Sequence, residues 1–434
     1  MRIAWFSHRY HPCVGGAEIY ARQMIRRFAA QGHHVDVFTC DADELWYYVN
    51  PRRRRVAAPA VSEVDGATVH RLRIRHFPFQ RYVGRLLSYV PHWPTRCRFE
   101  SYMPIIPGIE RVRGDYDAVF AHGFPYTIFS YGAFRTAREA GAPLILTPFL
   151  HLSTPDDPYR KFYTRPHQIR LLAESDCVAV VSGVEADAVA GWGIPRWRLL
   201  RLRMGVEHAA VTGGDRAAFR ARLGIPDNAP VVGQLGALDP NKGATHTLLA
   251  VARLNESRPA DQRIHLVLAG APSPDFERFM AGRGDAGTPE WLHLLGPIPD
   301  DDRPHFYAAL DAFAMPSRTD SFGIVFLEAW ANGLPVVGAA AGGVPDVIRH
   351  DETGFLVPYG DVDRIADALG RLVDDRPLAR SMGERGRVEV ATGHTWDDTF
   401  QLLRERTETL VDSRRARTPH SPRTRTGRVT SPAP

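Results

Sequence analysis

The chain has 434 residues, enough for two or three domains of ordinary size. Apolar residues make up 44% and charged residues 24%, which excludes collagen, a coiled coil and a chain that is disordered throughout. The net charge of +5 divides unevenly, because residues 1–205 carry 28 Arg and Lys against 18 Asp and Glu, residues 206–411 carry 20 against 30, and residues 412–434 carry 6 against 1. A basic front half attracts phosphates, an anionic membrane surface or nucleic acid, and charge alone does not choose among them.

Cysteine spacing and hydropathy bear on the compartment. The four cysteines, Cys13, Cys40, Cys97 and Cys177, form no C-x-x-C pair, which suits neither a zinc site nor a disulfide framework and predicts a reducing compartment. No run is long and apolar enough for a signal peptide or a membrane span, so we expect a cytoplasmic protein. Since no zinc-finger, KH, RRM or helix-turn-helix signature accompanies the basic charge, a small or lipid-linked anion is favoured over nucleic acid.

The front half alternates short apolar runs with amphipathic stretches. Strands are predicted at 2–7, 35–40, 118–121, 144–149 and 177–181. In the first helix, over 17–30, the apolar residues Tyr20, Met24 and Phe28 recur at helical spacing, and Gly32 stands where a C-terminal cap is expected. This alternation predicts a parallel sheet with crossover helices.

The same alternation restarts near residue 211, with predicted strands at 231–235, 265–269, 292–295, 312–315 and 335–337. We therefore expect an α/β chain with two doubly wound domains, over 1–210 and 211–395. In open α/β sheets, ligands bind beyond the carboxyl ends of the strands, so two such domains facing each other would form a cleft with a site on each wall.

Two stretches depart from this pattern. Residues 41–115 contain the run Arg52–Arg55 and a segment over 71–93 that is rich in Arg and aromatic residues. They are either solvated loops and amphipathic helices or a surface that binds an acceptor or a membrane. Residues 412–434 are rich in Pro, Ser, Thr and Arg and have almost no large apolar side chains, which predicts a disordered tail.

Two glycine-containing loops each follow a predicted strand and precede a predicted helix. The first is Gly15-Gly16-Ala17-Glu18, where paired glycines allow close approach of a phosphate to a helix N-terminus, although a plain tight turn explains them equally well. The second spans 236–243 and contains Lys242, one of only two lysines in the chain. A compact ammonium at a helix N-terminus suits a phosphate, and a solvent-exposed lysine is the alternative.

The third motif, over 316–337, carries two carboxylates. A strand is predicted to end near Ser317, a loop carries Asp320, and a helix begins near Gly323 with Glu328 inside it. Carboxylates accept hydrogen bonds from sugar hydroxyls, and the first amides of a helix bind a diphosphate. Independent use of the two acids, as a turn former and a surface glutamate, is the alternative.

Together these residues resemble a known family. The back half resembles the donor domain of retaining GT-B glycosyltransferases of family 4, the group 1 glycosyltransferases. The resemblance rests on Asp320 and, eight positions later, Glu328, with Phe322-Gly323 between them. Two further motifs follow, Gly342-Gly343-Val344-Pro345-Asp346 and Gly354-Phe355-Leu356-Val357. The loops at Gly15–Glu18 and Lys242-Gly243 match in the same order. The resemblance covers residues 1–411 and implies two Rossmann-like domains facing a central cleft.

The resemblance also implies roles for single residues. Glu328 would bind the nucleotide ribose, and Asp320 would hold hydroxyls of the donor sugar. Lys242 would stabilise the diphosphate leaving group, assisted by Gly16 and by the backbone of Phe322, Gly323, Ile324 and Val325. His122, at the end of a predicted strand, matches the family's active-site histidine, although the residue alone fits a buried structural role equally well. The catalytic set is thus His122, Lys242 and Asp320.

Two departures from the family favour an alternative. Ala237 stands where an arginine usually shares the diphosphate charge, and Asp320 stands where glutamate is usual. Arg318 is a candidate substitute cation. The alternative function is therefore a catalytically impaired subunit that binds a nucleotide sugar within a glycan-assembly system.

The expected function is hexosyl transfer from a nucleotide diphosphate sugar to a glycan or lipid-linked acceptor on the front domain. A return helix over 396–411 is expected to pack on that domain. Peripheral contact with an anionic membrane at its inner face follows as a hypothesis from the basic charge. The literal G-x-G-x-x-G at 282–287 follows a helical segment, so a dinucleotide cofactor is not expected. His8 and His11 lack a third ligand, so we predict no metal site and no cofactor beyond the donor.

Overall fold

The computed structural model describes residues 1–99, 103–153, 157, 159–283 and 288–417, and the chain divides into two compact units. The first comprises Met1–Leu150, Pro158–Leu202 and the chain from Thr399, and the second comprises His151–Asp157 and Arg203–Asp398. The division falls after Leu202 rather than at the expected 210, because the chain after Leu202 bonds within the second unit. Val206 N donates to the His394 carbonyl at 3.1 Å.

The first unit is built on an eight-stranded sheet. Its strands are β1 Arg2–Ser7, β2 His34–Cys40, β3 Val61–Val64, β4 Ala67–Leu72, β5 Ala118–His122, β6 Leu144–Thr147, β7 Cys177–Val180 and β8 Leu199–Arg201. They lie in the order β3-β4-β2-β1-β5-β6-β7-β8, and every pair is parallel except β3 with β4. The α/β class predicted from the alternation is confirmed.

In the described part of the first unit, six α-helices connect these strands. They are α1 Gly16–Ala30, α2 Gln80–Leu87, α3 Trp93–Arg98, α4 Thr127–Ala140, α5 Pro166–Glu174 and α6 Gly183–Gly191. The apolar stripe of α1 is buried, including Tyr20, Met24 and Phe28, because side chains at these spacings share one helix face. The segment over 41–115 that departed from the alternation forms the β3–β4 hairpin and the short helices α2 and α3.

The second unit has a six-stranded sheet in which all pairs are parallel. Its strands are β9 Val231–Leu235, β10 His265–Ala269, β11 Leu292–Gly296, β12 Ala312–Met315, β13 Val336–Ala339 and β14 Gly354–Val357, in the order β11-β10-β9-β12-β13-β14. The helices are α7 Arg216–Arg222, α8 Ala244–Glu256, α9 Pro274–Ala281, α10 Arg303–Ala309, α11 Ile324–Ala331, α12 Val362–Asp374 and α13 Arg376–Gly393. Leu248, Leu266 and Leu369 are fully buried in one apolar cluster between sheet and helices.

The last helix, α14 Trp396–Arg417, passes from the second unit to the first at Thr399. Within the first unit, the Phe400 ring packs edge-on against Phe28 with centroids 4.9 Å apart, and Arg414 pairs with Asp176 at 2.7 Å. The expectation of disorder from residue 412 is wrong for residues 412–417, because this ion pair lies on the continued helix. Residues 418–434 lie outside the described part. None of the described helices meets the length and hydropathy needed to cross a bilayer.

Candidate functional site

Two loops of the second unit lie against each other at the carboxyl ends of β9 and β12. The loop after β9 carries Lys242, and the loop after β12 carries Arg318 and Asp320. Arg318 N donates to the Asn241 carbonyl at 2.7 Å, which ties the loops together. Gly243 has φ +79°, and a Cβ there would lie 2.5 Å from the Pro316 carbonyl oxygen, so only glycine allows this approach.

Lys242 and Asp320 form a direct ion pair. Lys242 Nζ donates to Asp320 Oδ2 at 2.7 Å, and Asp320 is buried while the lysine is partly exposed. The backbone of Asp320 is held from the other side by the Gly342–Gly343 turn, because Gly343 N donates to the Asp320 carbonyl at 2.7 Å. A Cβ on Gly342, whose φ is +60°, would lie 2.5 Å from that carbonyl oxygen. The glycine motif therefore fixes the position of the acid.

The charges at this pair are set by the surroundings. Burial by itself raises the pKa of Asp320, but Lys242 and His151 act in the other direction and bring it below its usual value. His151 lies beside them, with Nδ1 at 3.3 Å from Thr319 Oγ1. Burial, with the Lys242 charge, lowers the pKa of His151 to about 4. At neutral pH Asp320 is therefore a carboxylate, and it lies beside a neutral imidazole.

The N-terminus of α11 lies three residues after Asp320. Gly323 has φ +93° and caps the helix without a side chain, and Phe322 N donates to the Asp320 carboxylate. Within the described part of the chain, the first-turn amides of Ile324 and Val325 have no acceptor. Free first-turn N–H groups and the helix dipole form a site for an anion.

Glu328, inside α11, is buried and already bonded on both oxygens. Arg303 donates to Oε1, and the Tyr307 hydroxyl donates to Oε2 at 2.6 Å, both from α10. Burial alone lowers the pKa of Arg303, but the Glu328 carboxylate holds it above its usual range. An ionised carboxylate has about four acceptor positions, so Glu328 retains capacity for further donors.

In the first unit, Gly16 is the first residue of α1. Its neighbour Gly15 is extended, and a Cβ there would meet the Glu18 carboxylate, so a larger residue would require that side chain to shift. Glu18 is buried and pairs with Arg9 Nη2 at 2.7 Å. Gly16 is exposed, so the start of α1 is open to a ligand.

His122 ends β5 and is almost completely buried. Trp5 Nε1 lies 3.0 Å from His122 Nδ1, and Ser7 Oγ lies 3.1 Å from His122 Nε2. Because an indole N–H only donates, Nδ1 accepts and the ring proton is on Nε2. Burial, and then the neighbouring His8, lower the pKa of His122 to about 3. His122 is a neutral imidazole with a defined tautomer.

The structure brings together Lys242, Asp320 and the Phe322–Val325 segment. Glu328 follows on the same helix, while Gly16 and His122 belong to the first unit. Sequence reasoning missed Arg303, Tyr307 and His151, since no spacing signal links them to the acids they contact. Arg318, the candidate substitute for the arginine that is usual at position 237, forms an ion pair with Asp157 at 2.9 Å. Ala237 itself is exposed.

Among the described residues no cluster of three or more His, Cys, Asp and Glu could hold a metal ion. The G-x-G-x-x-G at 282–287 lies partly outside the described residues, and its first glycine ends α9 rather than following a strand. The four cysteines are buried, and no disulfide joins them.

Comparison with known proteins matches both halves of the chain. Residues 215–389 match the family model described as "Glycosyl transferases group 1", and residues 15–205 match the "Glycosyl transferase 4-like domain". The D-inositol 3-phosphate glycosyltransferase of Acidothermus cellulolyticus is 30% identical over 420 residues, covering 93% of this chain and 88% of the relative.

Solved structures share the fold at lower identity. Sucrose-phosphate synthase from Thermosynechococcus elongatus superposes with a TM-score of 0.70 and 20% identity, over 95% of this chain and 99% of that one. The HepE protein of Anabaena, in complex with UDP and glucose, gives a TM-score of 0.67 and 18% identity, over 94% of this chain and all of the other.

Proposed function

Because the chain belongs to the group 1 glycosyltransferases and is therefore a glycosyltransferase, we propose that it transfers a hexose-type sugar from a nucleotide diphosphate sugar to a glycan or lipid-linked acceptor, with retention of anomeric configuration. The observation that carries the proposal is the Lys242–Asp320 pair beside the free first-turn amides of α11. A cation and amides suit a diphosphate, and the adjacent carboxylate suits sugar hydroxyls.

The donor site acts on the charge that develops as the sugar leaves. Lys242 has three N–H donors, so it can hold Asp320 with one and the diphosphate with another. The Ile324 and Val325 amides share the remaining negative charge. Since this charge grows as the glycosidic bond breaks, fixed donors stabilise the transition state more than the bound donor sugar. Asp320 orients the sugar, and Glu328 accepts from the ribose hydroxyls.

In the first unit, His122 supplies a hydrogen bond rather than a proton. Its low pKa keeps it neutral, and its Nε2–H group is the donor that faces Ser7. We propose that on substrate binding this N–H exchanges Ser7 Oγ for a sugar hydroxyl, and that the exposed start of α1 at Gly16 binds an anionic group of the substrate. No cofactor and no metal are required, because Lys242 and backbone amides supply the positive charge.

The ligands of similar proteins support a nucleotide sugar as partner. The HepE structures contain UDP, UDP with glucose, or UDP-glucose. Several relatives are named D-inositol 3-phosphate glycosyltransferases, and one structural neighbour is a glycosyltransferase of lipopolysaccharide biosynthesis. We propose a cytoplasmic protein with a glycan or lipid-linked acceptor and no nucleic-acid partner.

The first test is isothermal titration calorimetry of the full chain against UDP, GDP, ADP and NAD, with EDTA present. We expect one nucleoside diphosphate to bind, and Lys242→Ala and Glu328→Ala to weaken binding at least tenfold, by loss of charge-assisted hydrogen bonds. Arg376→Gln, on an exposed face of α13, is the control and should bind as the unmodified chain does. Absence of binding by every nucleotide contradicts the proposal.

Turnover separates the proposal from its alternative. With the nucleotide that binds, hydrolysis or transfer of its sugar should fall roughly 100-fold in Lys242→Ala, the usual loss for one transition-state donor. The product anomer, read by NMR, tests retention. Tight nucleotide binding without turnover would instead favour the catalytically impaired subunit, which Ala237 and the Arg318–Asp157 pair make the second candidate.

Peripheral membrane contact is the last part of the proposal. Residues 66–99 contain seven arginines and no Asp or Glu, and α2 lies within this stretch. Tyr82 and Leu86 of α2 are exposed, with Arg81 and Arg85 between and beside them. Exposed apolar groups flanked by arginines favour an anionic bilayer surface.

A further inference from the structure

The first unit contains a cavity of about 720 Å³ at the carboxyl end of β4. Residues that follow β2 and β4 line it, and the loop before β3 forms its other wall. Its volume lies within the usual range for small-molecule sites, and its position is the edge at which α/β sheets bind ligands. None of the residues proposed to bind the donor lines it.

The charged side chains of its lining are mostly arginines. Arg55, Arg71, Arg73 and Arg75 line it together with a single carboxylate, Asp41. Asp41 Oδ1 already accepts from Ile74 N at 3.0 Å. Over the described ranges, none of the four arginines has a carboxylate within ion-pair distance. The cavity therefore has a positive charge that the protein does not neutralise.

Arg71 is the most informative of the four, because it is only 7% exposed. Its guanidinium donates to Ser62 Oγ at 2.6 Å and to the His11 carbonyl at 2.7 Å. These neutral acceptors orient the guanidinium but leave its charge without a counter-ion, and burial lowers its pKa. A buried cation without an anion is costly, so a structural role alone does not account for it. His11 lies in the loop that leads to Gly15 and Gly16.

Arg73 and Arg75 complete the arrangement from the mouth of the cavity. Both are exposed, and Ile74 between them is buried, so the two side chains lie on the same side of the segment. Guanidinium groups bind phosphate through paired, parallel hydrogen bonds. One buried guanidinium and two exposed ones can therefore surround one phosphate group.

We propose that this cavity binds the phosphate group of a phosphorylated acceptor. The proposal rests on the proposed function, because it identifies the acceptor class on the first unit. The phosphate can belong to a soluble ester of about sugar size or to a lipid headgroup, and the chemistry of recognition is the same for both. Soluble esters and lipid vesicles, tested separately, distinguish the two sources.

The soluble arm is calorimetry of the full chain with inorganic phosphate, glucose 6-phosphate and glucose. We expect the two phosphates to bind and glucose not to bind. Arg73→Gln/Arg75→Gln should weaken binding roughly tenfold or more, since two charge-assisted contacts are lost. The matched control, Arg376→Gln/Arg380→Gln, removes two exposed arginines of α13 and should bind as the unmodified chain does.

The lipid arm is co-sedimentation with phosphatidylcholine vesicles with and without phosphatidic acid. Binding that requires phosphatidic acid and falls in the Arg73/Arg75 variant but not in the control identifies a headgroup as the source. The proposal is overturned if the Arg73/Arg75 variant matches the control in both arms, or if glucose binds as tightly as its phosphate ester.

Two further titrations keep this result separate from the donor site. Lys242→Ala should still bind glucose 6-phosphate, and loss of ester binding there but not in the Arg73/Arg75 variant would overturn the proposal. UDP is titrated into the same samples. If UDP does not bind while the ester does, the proposed function fails and the phosphate site stands. If UDP binds, while binding of the soluble phosphates and of phosphatidic acid vesicles is unchanged in the Arg73/Arg75 variant, the cavity proposal alone fails.

Discussion

At the scale of single residues, Trp5 determines which nitrogen of His122 carries the proton. The indole N–H donates to Nδ1 at 3.0 Å, and this leaves Nε2–H as the donor. A histidine without such a partner can adopt either tautomer, and a fraction of the molecules would then present an acceptor where a donor is needed. Trp5 is thus a positioning residue, since it acts through His122 rather than on the substrate.

We predict that Trp5→Phe lowers kcat by roughly tenfold with little change in KM for the donor. The reason is that the neutral hydrogen bond donated by His122 Nε2–H in the transition state is weakened. Phenylalanine keeps an aromatic ring for the stack on Phe120, whose centroid lies 4.7 Å away. The ¹⁵N spectrum of His122 should show Nε2–H in the parent and a mixture in Trp5→Phe.

Trp197→Phe, at an exposed tryptophan of the same unit, is the matched control and should change neither kcat nor the spectrum. An Nδ1–H signal for His122 in the parent protein would contradict the assignment. So would a kinetic pKa near 6.5 that disappears when His122 is replaced, since burial holds the pKa of this histidine at about 3.

At the scale of secondary structure elements, α2 has an apolar face that its own unit does not cover. Tyr82 is 75% and Leu86 71% exposed, and Phe79 and Tyr89 on either side are 75% and 69% exposed. Each large apolar side chain moved from water into a bilayer interface contributes up to about 2 kcal/mol, and the neighbouring arginines add attraction to anionic lipid.

We predict that Tyr82→Ser/Leu86→Ser reduces recovery on vesicles containing anionic lipid at least tenfold, by loss of this apolar burial. Liposome flotation measures it. Val388→Ser/Leu402→Ser removes exposed apolar side chains from α13 and α14 and serves as the control. Higher salt should weaken binding of the parent, because the arginine contribution is screened. Equal flotation on neutral and anionic vesicles would remove the membrane proposal.

Comparison of elements shows what the sequence predicts and why. The strands β1, β9, β10 and β12 occur at the predicted positions. Each is a short apolar run between two helical patterns, and such a run forms a buried strand of a parallel sheet. The β3–β4 hairpin was not predicted, since β3 has only four residues and is partly exposed. The Arg-rich and aromatic pattern over 71–93 is compatible with loop or helix, and only packing decides between them.

In the candidate site too, features set by local sequence signals were predictable and those set by packing were not. The positions of Lys242, Asp320 and the start of α11 were predictable, because strand, glycine and helix signals are local. The contacts of Glu328 with Arg303 and Tyr307 were not, since they join separate helices across more than twenty residues. The cavity in the first unit also combines Asp41 after β2 with residues of β4, the segment after it and the loop before β3, which no linear motif reveals.

At the scale of the whole molecule, buried neutral histidines make stability depend on pH. Burial is the first cause that lowers the pKa of His122 to about 3 and that of His151 and His265 to about 4. In the unfolded chain these groups titrate near 6.5. Between these values the unfolded chain binds more protons, so stability falls as pH decreases below about 6.5.

Glu185 opposes this trend. Burial raises its pKa to about 7, while the amides of Leu150 and Val181 act in the other direction. Its folded pKa lies above the unfolded value, so its contribution is complete below about 4.3 and is lost as pH rises through 7. The carboxyl of Asp320, whose pKa is lowered, loses its contribution only in the region below its unfolded pKa. Between pH 4.5 and 6.5 the three histidines and Glu185 therefore change stability in opposite directions. Three histidines act against one carboxyl, so the net stability falls as pH decreases.

We predict that the unfolding midpoint falls as pH decreases from 6.5 to 4.5, as followed by scanning calorimetry. His122→Gln should make the dependence shallower, because a group that takes up a proton on unfolding is removed. Glu185→Gln should make it steeper, because the opposing group is removed. These opposite changes separate specific titration from general loss of stability, since two merely destabilising substitutions would lower the midpoint without changing its slope against pH. A parent midpoint that is constant over this window would show that these histidines are accessible to protons in the folded chain.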